Sequence, residues 1–221
     1  MKMRMEIVFA ALVLVYTGTA RAGTIIHGDE WVVSNNTVNG ISGGAIPANV
    51  PGTSPDVSFT VSPVINLSTP SNGSNYTIGT FLSSATILAG SSHSNDVFTD
   101  SIFRFGPAAP SHTTADTITV TTGETFSATH DDGITLVING QTVISAPFQT
   151  SAETSTGIYT GPSGTFPFEL VYEECCGAPA VLSINLTDAA TVPEPGTWLL
   201  FGTGLAGLFG YAWRGRQRQA A

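Results

Sequence analysis

Basic residues are nearly absent from the long middle of this 221-residue chain. Arg104 is the only lysine or arginine between residues 23 and 192, and this stretch holds 14 of the 16 acidic residues, all but Glu6 and Glu194. The formal net charge of the stretch is therefore −13. Affinity for nucleic acid depends on cationic groups that neutralise phosphates, so the composition excludes nucleic acid as a partner. An acidic surface suits divalent cations and neutral sugars.

Catalytic motifs are missing as well. No HExxH or other His/Cys spacing links the four histidines, and there is neither a Gly-x-Ser-x-Gly motif nor a phosphate-binding glycine-rich loop before a helix. Asp131, Glu173 and Glu174 could supply the two carboxyl groups that a glycosidase uses as acid and base. Nothing in the sequence, however, indicates a substrate cleft. The sequence predicts a protein that is not an enzyme.

Residues 1–22 have the features of a secretory signal peptide. Two basic residues precede an apolar run over residues 7–15, and Ala20-Arg21-Ala22 fits a small-x-small cleavage site. The apolar run is much shorter than the ~20 residues of a spanning helix, which argues against the alternative of an uncleaved anchor. We therefore predict cleavage after residue 22 and export of the chain.

The C-terminal region has three parts in a fixed order. Pro193-Glu194-Pro195 precedes an apolar stretch from Trp198 to Trp213, and a cluster of three arginines follows. Interfacial tryptophans and a cytoplasmic arginine cluster orient a membrane helix so that the bulk of the chain lies outside. We predict a single transmembrane helix at 198–213, which is short for a permanent anchor.

Residues 192–218 resemble the PEP-CTERM sorting signal of Gram-negative bacteria. The resemblance implies that an exosortase recognises Pro193, Glu194 and Pro195 and removes the tail. It also implies a transient stay in the inner membrane, followed by location at the cell-envelope surface or in the extracellular matrix. A generic C-terminal tail anchor is the alternative.

The stretch between these two ends has the pattern of a β protein. Helical periodicity is not sustained there, whereas alternation of apolar and polar residues recurs. This alternation predicts strands at 116–122, 125–130, 134–138, 142–145, 166–172 and 180–187. Less regular segments predict further strands at 24–26, 30–34, 57–61, 76–82 and 102–105. The sequence predicts an all-β, antiparallel sandwich over residues 56–190, preceded by N-terminal strands and a linker at 23–55.

The densest polar cluster is His130-Asp131-Asp132-Gly133, between two predicted strands. Adjacent carboxylates repel each other unless a cation or water screens them, and calcium is a hard cation that prefers oxygen ligands. A calcium site at Asp131 and Asp132 is therefore one interpretation of this cluster, and we predict an exposed His130 at the strand end. A solvated turn without metal is the alternative, since Asp-Asp-Gly is good turn chemistry by itself.

Residues 125–187 resemble the PA14 family and the similar fibro-slime domains. The shared features are the Asp-Asp-Gly turn, an apolar strand, the hairpin turn at Asn139-Gly140 and a strand that reaches Tyr172. This resemblance implies a PA14-like β-sandwich. In the calcium-dependent lectins of the family, two aspartates joined by a cis peptide hold Ca²⁺, which in turn chelates sugar hydroxyls.

Carried over to this chain, the resemblance gives Asp131 and Asp132 the metal-binding and carbohydrate-binding roles. Glu174 falls where those lectins have a ligating asparagine, and Cys176 and Ala178 have the positions of the carbonyl ligands. Glutamate is longer than asparagine and carries a charge, so it would change the ligand set.

Cysteine is limited to the adjacent pair Cys175 and Cys176. Thiols rarely stay free in an oxidising exported compartment, and two thiols are too few for a structural zinc site. We favour a disulfide between the two neighbours, and pairing with another molecule is the alternative.

Together these features predict an exported, noncatalytic module that binds extracellular polysaccharide or another glycan with the help of calcium. The alternative function is that of a structural exopolysaccharide or biofilm-matrix component without a specific ligand. In that case the aspartate pair serves only the turn.

Overall fold

The structure is a computed structural model that describes residues 25–34, 37–38, 43–70, 76–98 and 100–187. The predicted signal peptide, the Pro-Glu-Pro motif at 193–195 and the predicted membrane helix at 198–213 lie outside these residues. Within the described residues, no helix is long and apolar enough to cross a membrane.

Short β-strands dominate the described part of the chain. They are β1 (Ile26–Val32), β2 (Val57–Val61), β3 (Val64–Ser68), β4 (Thr86–Ala89), β5 (Ser101–Phe105), β6 (Thr117–Val120), β7 (Thr125–Asp131), β8 (Ile134–Ile138), β9 (Gln141–Ala146), β10 (Glu153–Ile158), β11 (Gly164–Glu174) and β12 (Val181–Asn185). Helical segments are short: α1 (Ile78–Phe81) and 3-10 turns at Pro47–Asn49 and Ser91–Asn95.

The strands form two sheets whose paired strands are antiparallel. The larger sheet has the order β4-β2-β1-β5-β11-β8-β9, and β6 pairs with β11 beside this path. The smaller sheet has the order β10-β7-β12-β3. Alternate residues of both sheets meet in one apolar core, to which Phe103 and Leu170 contribute from the larger sheet and Ala128 and Leu182 from the smaller. The predicted antiparallel sandwich is confirmed.

Strong alternation located the central strands well. The alternating segment 134–138 has the bounds of β8, and the less regular segment 57–61 has the bounds of β2. Asn139 and Gly140 connect β8 to β9 with φ values of 50° and 76°, as a type I′ hairpin turn requires.

Residues 76–82 are not the strand that the sequence predicted, because they contain α1. The Thr77 side chain accepts a hydrogen bond from the Thr80 amide, which satisfies a free donor at the helix N-terminus. Ile78 and Phe81 are buried from this helix. An apolar spacing of three residues fits a helical turn better than a strand.

Strand β1 joins parts of the predicted segments 24–26 and 30–34, since it runs from Ile26 to Val32 between β2 and β5. Gly28 permits this continuity, because a Cβ at its position would lie 2.5 Å from the Phe59 ring. The sandwich therefore includes residues from the 23–55 segment, which the sequence assigned to N-terminal strands and a linker. Strands β3, β4 and β10 were not predicted; β4 and β10 bury few side chains and so carry little alternation signal.

Candidate functional site

The Asp-Asp-Gly turn lies at one end of the sandwich, where the chain passes from one sheet to the other. Strand β7 of the smaller sheet ends at Asp131, and β8 of the larger sheet begins at Ile134. The peptide bond between Asp131 and Asp132 is cis. Their exposed fractions are only 8% and 3%, so the pair is largely buried rather than solvated like an ordinary turn.

Both aspartates line an open pocket of about 450 Å³. The remaining walls are formed by residues 149–151 and by residues 175–179, which follow the end of β11. Arg104, the one lysine or arginine among the described residues, bonds to Glu169 instead, with 2.8 Å between Nε and Oε1. Within the described residues, no lysine or arginine therefore balances the charge of the two carboxylates.

Main-chain amides hold the carboxylates in place. The Thr150 amide donates to Oδ1 of Asp132 at 3.2 Å, and the Cys175 amide donates to Oδ2 at 2.8 Å. The Ala152 amide bonds to the carboxylate of Asp131. Burial nevertheless raises the pKa of Asp132 to about 6, and burial also raises the pKa of Asp131. The pair is oriented by the protein, but its charge is not compensated by it.

His130 is not the exposed strand-end residue that the sequence predicted. Its side chain is fully buried, with Nδ1 hydrogen-bonded to the Asp132 carbonyl oxygen and Nε2 2.8 Å from the Ser155 hydroxyl. The alternation of β7 explains this, because His130 shares its face with the buried Phe126 and Ala128. That alternation was the signal that could have found it.

Glu174 does not line the pocket, so the structure removes it from the predicted metal ligands. The side chain is fully buried between the sheets, where the hydroxyl of Tyr76 donates to Oε1 and the hydroxyl of Tyr172 lies 2.9 Å from Oε2. The Tyr172 hydroxyl also donates to the carbonyl oxygen of Asp131. Burial raises the pKa of Glu174 to about 9.

Glu173 points to the opposite face of β11, toward a small apolar cluster that includes Val171 and Cys175. It is fully buried, and neither carboxyl oxygen has a hydrogen-bond partner. Burial raises its pKa to about 9, with a smaller contribution from the charge of Asp132. The sequence did not predict that the carboxyl group of Glu173 is buried.

The loop after β11 carries the two cysteines, whose sulfurs are joined in a disulfide. Cys175 is buried, and both residues line the pocket beside the aspartates. In the described part of the chain, no three His, Cys, Asp or Glu side chains are grouped so that they could hold a metal ion. A cation at the aspartate pair would therefore need oxygen ligands from the main chain or from a bound molecule.

Comparisons with known proteins place both the tail and the fold. Residues 191–217 match the PEP-CTERM protein-sorting motif, which indicates an exported protein that is sorted across the membrane. The crystal structure of the PA14 domain of the MpAFP antifreeze protein is similar with a TM-score of 0.51 and 19% identity, over 77% of this chain and 87% of that chain. The described part of the chain has a PA14-like fold.

A second similar structure is described as the PA14 sugar-binding domain from an RTX adhesin. It has a TM-score of 0.47 and 20% identity, over 74% of this chain and 89% of that chain. No curated protein matches the chain. Both resemblances noted in the sequence, to PEP-CTERM proteins and to PA14 domains, are confirmed, and the two sheets also include strands β1 to β6, which precede the segment 125–187.

Proposed function

We propose that this protein is sorted by an exosortase to the cell surface or the extracellular matrix, where its noncatalytic PA14-like domain binds carbohydrate through calcium. The observation that carries the proposal is the pair of largely buried carboxylates, Asp131 and Asp132, in an open pocket without a lysine or arginine. A divalent cation is the natural counter-charge for such a pair.

The residues present fit calcium. Calcium takes about six to eight oxygen ligands, among them carboxylates, main-chain carbonyls, waters and sugar hydroxyls. Asp131 and Asp132 would hold the ion, and the carbonyl groups of Cys176 and Ala178 belong to residues on the same pocket wall. When bound, the ion supplies a positive centre that accepts hydroxyl oxygens of a glycan.

The electrostatics favour neutral glycans over acidic ones. The stretch 23–192 has a formal net charge of −13, which repels polyanions at long range. The pocket offers hydrogen-bonding side chains at Gln149, Thr150 and Ser151, which suit uncharged hydroxyl-rich ligands.

The test is unfolding of the full-length protein in detergent, with EGTA and with millimolar calcium. Calcium at 100 times its Kd should stabilise the domain by about 2.7 kcal/mol. The double variant Asp131→Asn with Asp132→Asn should lose this stabilisation and the calcium-dependent retention on neutral glycans. Asp96→Asn, a change at an exposed carboxylate beside His93, is the matched control. An unchanged wild-type transition in calcium would contradict the proposal and favour the structural-matrix alternative.

Sorting is tested by a change that leaves the predicted membrane helix intact. Glu194→Ala should prevent removal of the tail, so that the protein keeps its full C-terminal mass and stays in the inner-membrane fraction. Thr197→Ser is the control. A variant processed like wild type would show that Pro-Glu-Pro recognition is not the sorting step. Deletion of residues 193–221 is a weaker test, because it would release the protein both from exosortase sorting and from a generic tail anchor.

A further inference from the structure

Three buried side chains form one hydrogen-bond chain that ends on the aspartate pair. Tyr76 donates to Glu174, Glu174 contacts Tyr172, and Tyr172 donates to the carbonyl oxygen of Asp131. That carbonyl belongs to the peptide bond that joins Asp131 to Asp132. The last donor of the chain therefore contacts the unit that carries both carboxylates.

The protons of the two tyrosine hydroxyls determine which oxygens of the Glu174 carboxyl group donate and which accept. Each tyrosine hydroxyl has one proton, and a carbonyl oxygen can only accept, so the Tyr172 proton lies on the bond to Asp131. The Tyr76 proton lies on the bond to Oε1 of Glu174. The 2.9 Å contact between Oε2 and the Tyr172 oxygen then needs a proton from Glu174 itself. In this arrangement the Glu174 carboxyl group is both a donor and an acceptor.

Within the described residues, no other polar group competes for the hydrogen bonds that link Tyr76, Glu174 and Tyr172. Strand alternation places Tyr172 and Glu174 on the same face of β11, between the sheets. The Tyr172 ring stacks on Phe81 with 5.6 Å between ring centroids, and the Tyr76 ring lies 5.5 Å from Phe98. Both tyrosine hydroxyls are shielded by this aromatic layer, and no main-chain amide contacts the Glu174 carboxyl among the described residues.

We propose that Tyr172 is a positioning residue for the Asp131–Asp132 pair, and that Glu174 directs the Tyr172 hydroxyl toward the Asp131 carbonyl. The consequence for calcium affinity rests on the function proposed above. Glu174 then acts through its contact with Tyr172, and contacts no metal.

Substitutions at Tyr172 and Glu174 distinguish a positioning role from direct coordination of calcium. Tyr172→Phe and Glu174→Ala should each weaken calcium binding about tenfold, the lower end of the effect of residues that orient metal ligands. Glu174→Gln should restore affinity to within about twofold of wild type, because its amide supplies the same donor and acceptor. A carboxylate ligand would not be replaced in this way. Tyr159→Phe is the control, since its hydroxyl donates to Pro162 near the other end of β7.

Two measurements on the full-length protein in detergent decide the outcome: calcium titration by calorimetry, and the NMR shift of the Asp131 carbonyl carbon in EGTA. Calcium binding that is weakened in Tyr172→Phe and restored in Glu174→Gln, with a carbonyl shift that follows, supports the proposal. Calcium binding unchanged in Tyr172→Phe, or as weak in Glu174→Gln as in Glu174→Ala, overturns it. If Tyr172→Phe does not fold, Tyr76→Phe and the Glu174 series give the same comparison.

A wild-type protein that binds no calcium would refute the proposed function separately. The carbonyl shift in EGTA would then decide the positioning role alone. A shift that moves in Tyr172→Phe and Glu174→Ala and returns in Glu174→Gln supports it, and a shift that stays constant overturns it.

Discussion

Two adjacent acidic pairs lie at the same end of the sandwich, and the fold uses them in opposite ways. Asp131 and Asp132 occupy a turn, line one pocket together and accept hydrogen bonds from main-chain amides. Glu173 and Glu174 occupy a strand, so their side chains point to opposite faces and neither lines that pocket. Proximity in sequence brings carboxylates together in a turn but separates them in a strand.

The two pairs also differ in how burial is compensated. Each aspartate keeps an opening to the pocket, where a cation can balance its charge. The glutamates have no such opening, and burial raises the pKa of each to about 9. Among the described residues, Glu174 has two tyrosine partners and Glu173 has no hydrogen-bond partner. We therefore expect the aspartate pair to bind the ligand, Glu174 to act on that pair through Tyr172, and Glu173 to control stability.

The largest expected effect is a pH dependence that comes from Glu173. Its pKa is about 9 in the folded state and about 4.5 in the unfolded chain, so between these values the folded state binds an extra proton. Stability in EGTA should therefore fall as pH rises from 5 to 9, by up to about 1.4 kcal/mol per pH unit from this group. Glu173→Gln should remove this part of the slope in urea unfolding.

Glu30→Gln gives the matched comparison. Burial raises the pKa of Glu30 to about 7, and Ser101 bonds to one of its oxygens. The slope contributed by Glu30 should end near pH 7, whereas that of Glu173 continues to about pH 9. Equal slopes in wild type and Glu173→Gln would show that Glu173 is ionised in the folded protein.

An intermediate effect is expected at Gly133, which links the two pairs. A Cβ at this position would overlap the carbonyl oxygen of Pro147 and lie 2.6 Å from Oε1 of Glu173. Gly133→Ala should destabilise the domain by about 1–3 kcal/mol, because the backbone beside Asp132 must shift. Gly52→Ala, where a Cβ meets nothing within 4 Å, should change stability by less than about 0.5 kcal/mol. Equal effects of the two variants would contradict this geometry.

The smallest expected effect concerns the cysteines, which connect the glutamate strand to the aspartate pocket. Native protein treated with iodoacetamide should gain no adduct, and reduced protein should gain two, by mass spectrometry. The bridge closes only a two-residue loop, so its reduction should cost about 1 kcal/mol of stability. A disulfide-linked dimer on a non-reducing gel would instead support pairing with another molecule.

Sequence alone predicted the strands with strong alternation and the aspartate turn. Apolar and polar residues alternate clearly in β7, β8 and β11. The Asp-Asp-Gly motif consists of consecutive residues. Both signals can therefore be recognised within a short segment of sequence. The error at Glu174 arose because the family position of an asparagine was preferred over alternation along β11. Alternation alone puts Glu174 on the face of Tyr172, which is the face observed.

The rest of the site depends on contacts that are distant in sequence. Tyr76 lies 98 residues from Glu174, and the Cys175 amide lies 43 residues from Asp132. Tyr76 belongs to a segment predicted as a strand, so no sequence pattern indicated that its hydroxyl meets a carboxyl group. Such partners are set by the packing of the two sheets and not by any local period.

The position of β12 has a mechanical consequence for a protein held by its C-terminus. Strand β12 is the last described strand before the sorting motif, and it lies between β7 and β3 in the smaller sheet. Tension applied to the chain after β12 would load the hydrogen bonds to both β7 and β3. Val181 pairs with Asp131, so the load path passes beside the pocket. An ion held at Asp131 and Asp132 would cross-link the end of β7, which neighbours the strand under tension, to the loop that precedes β12.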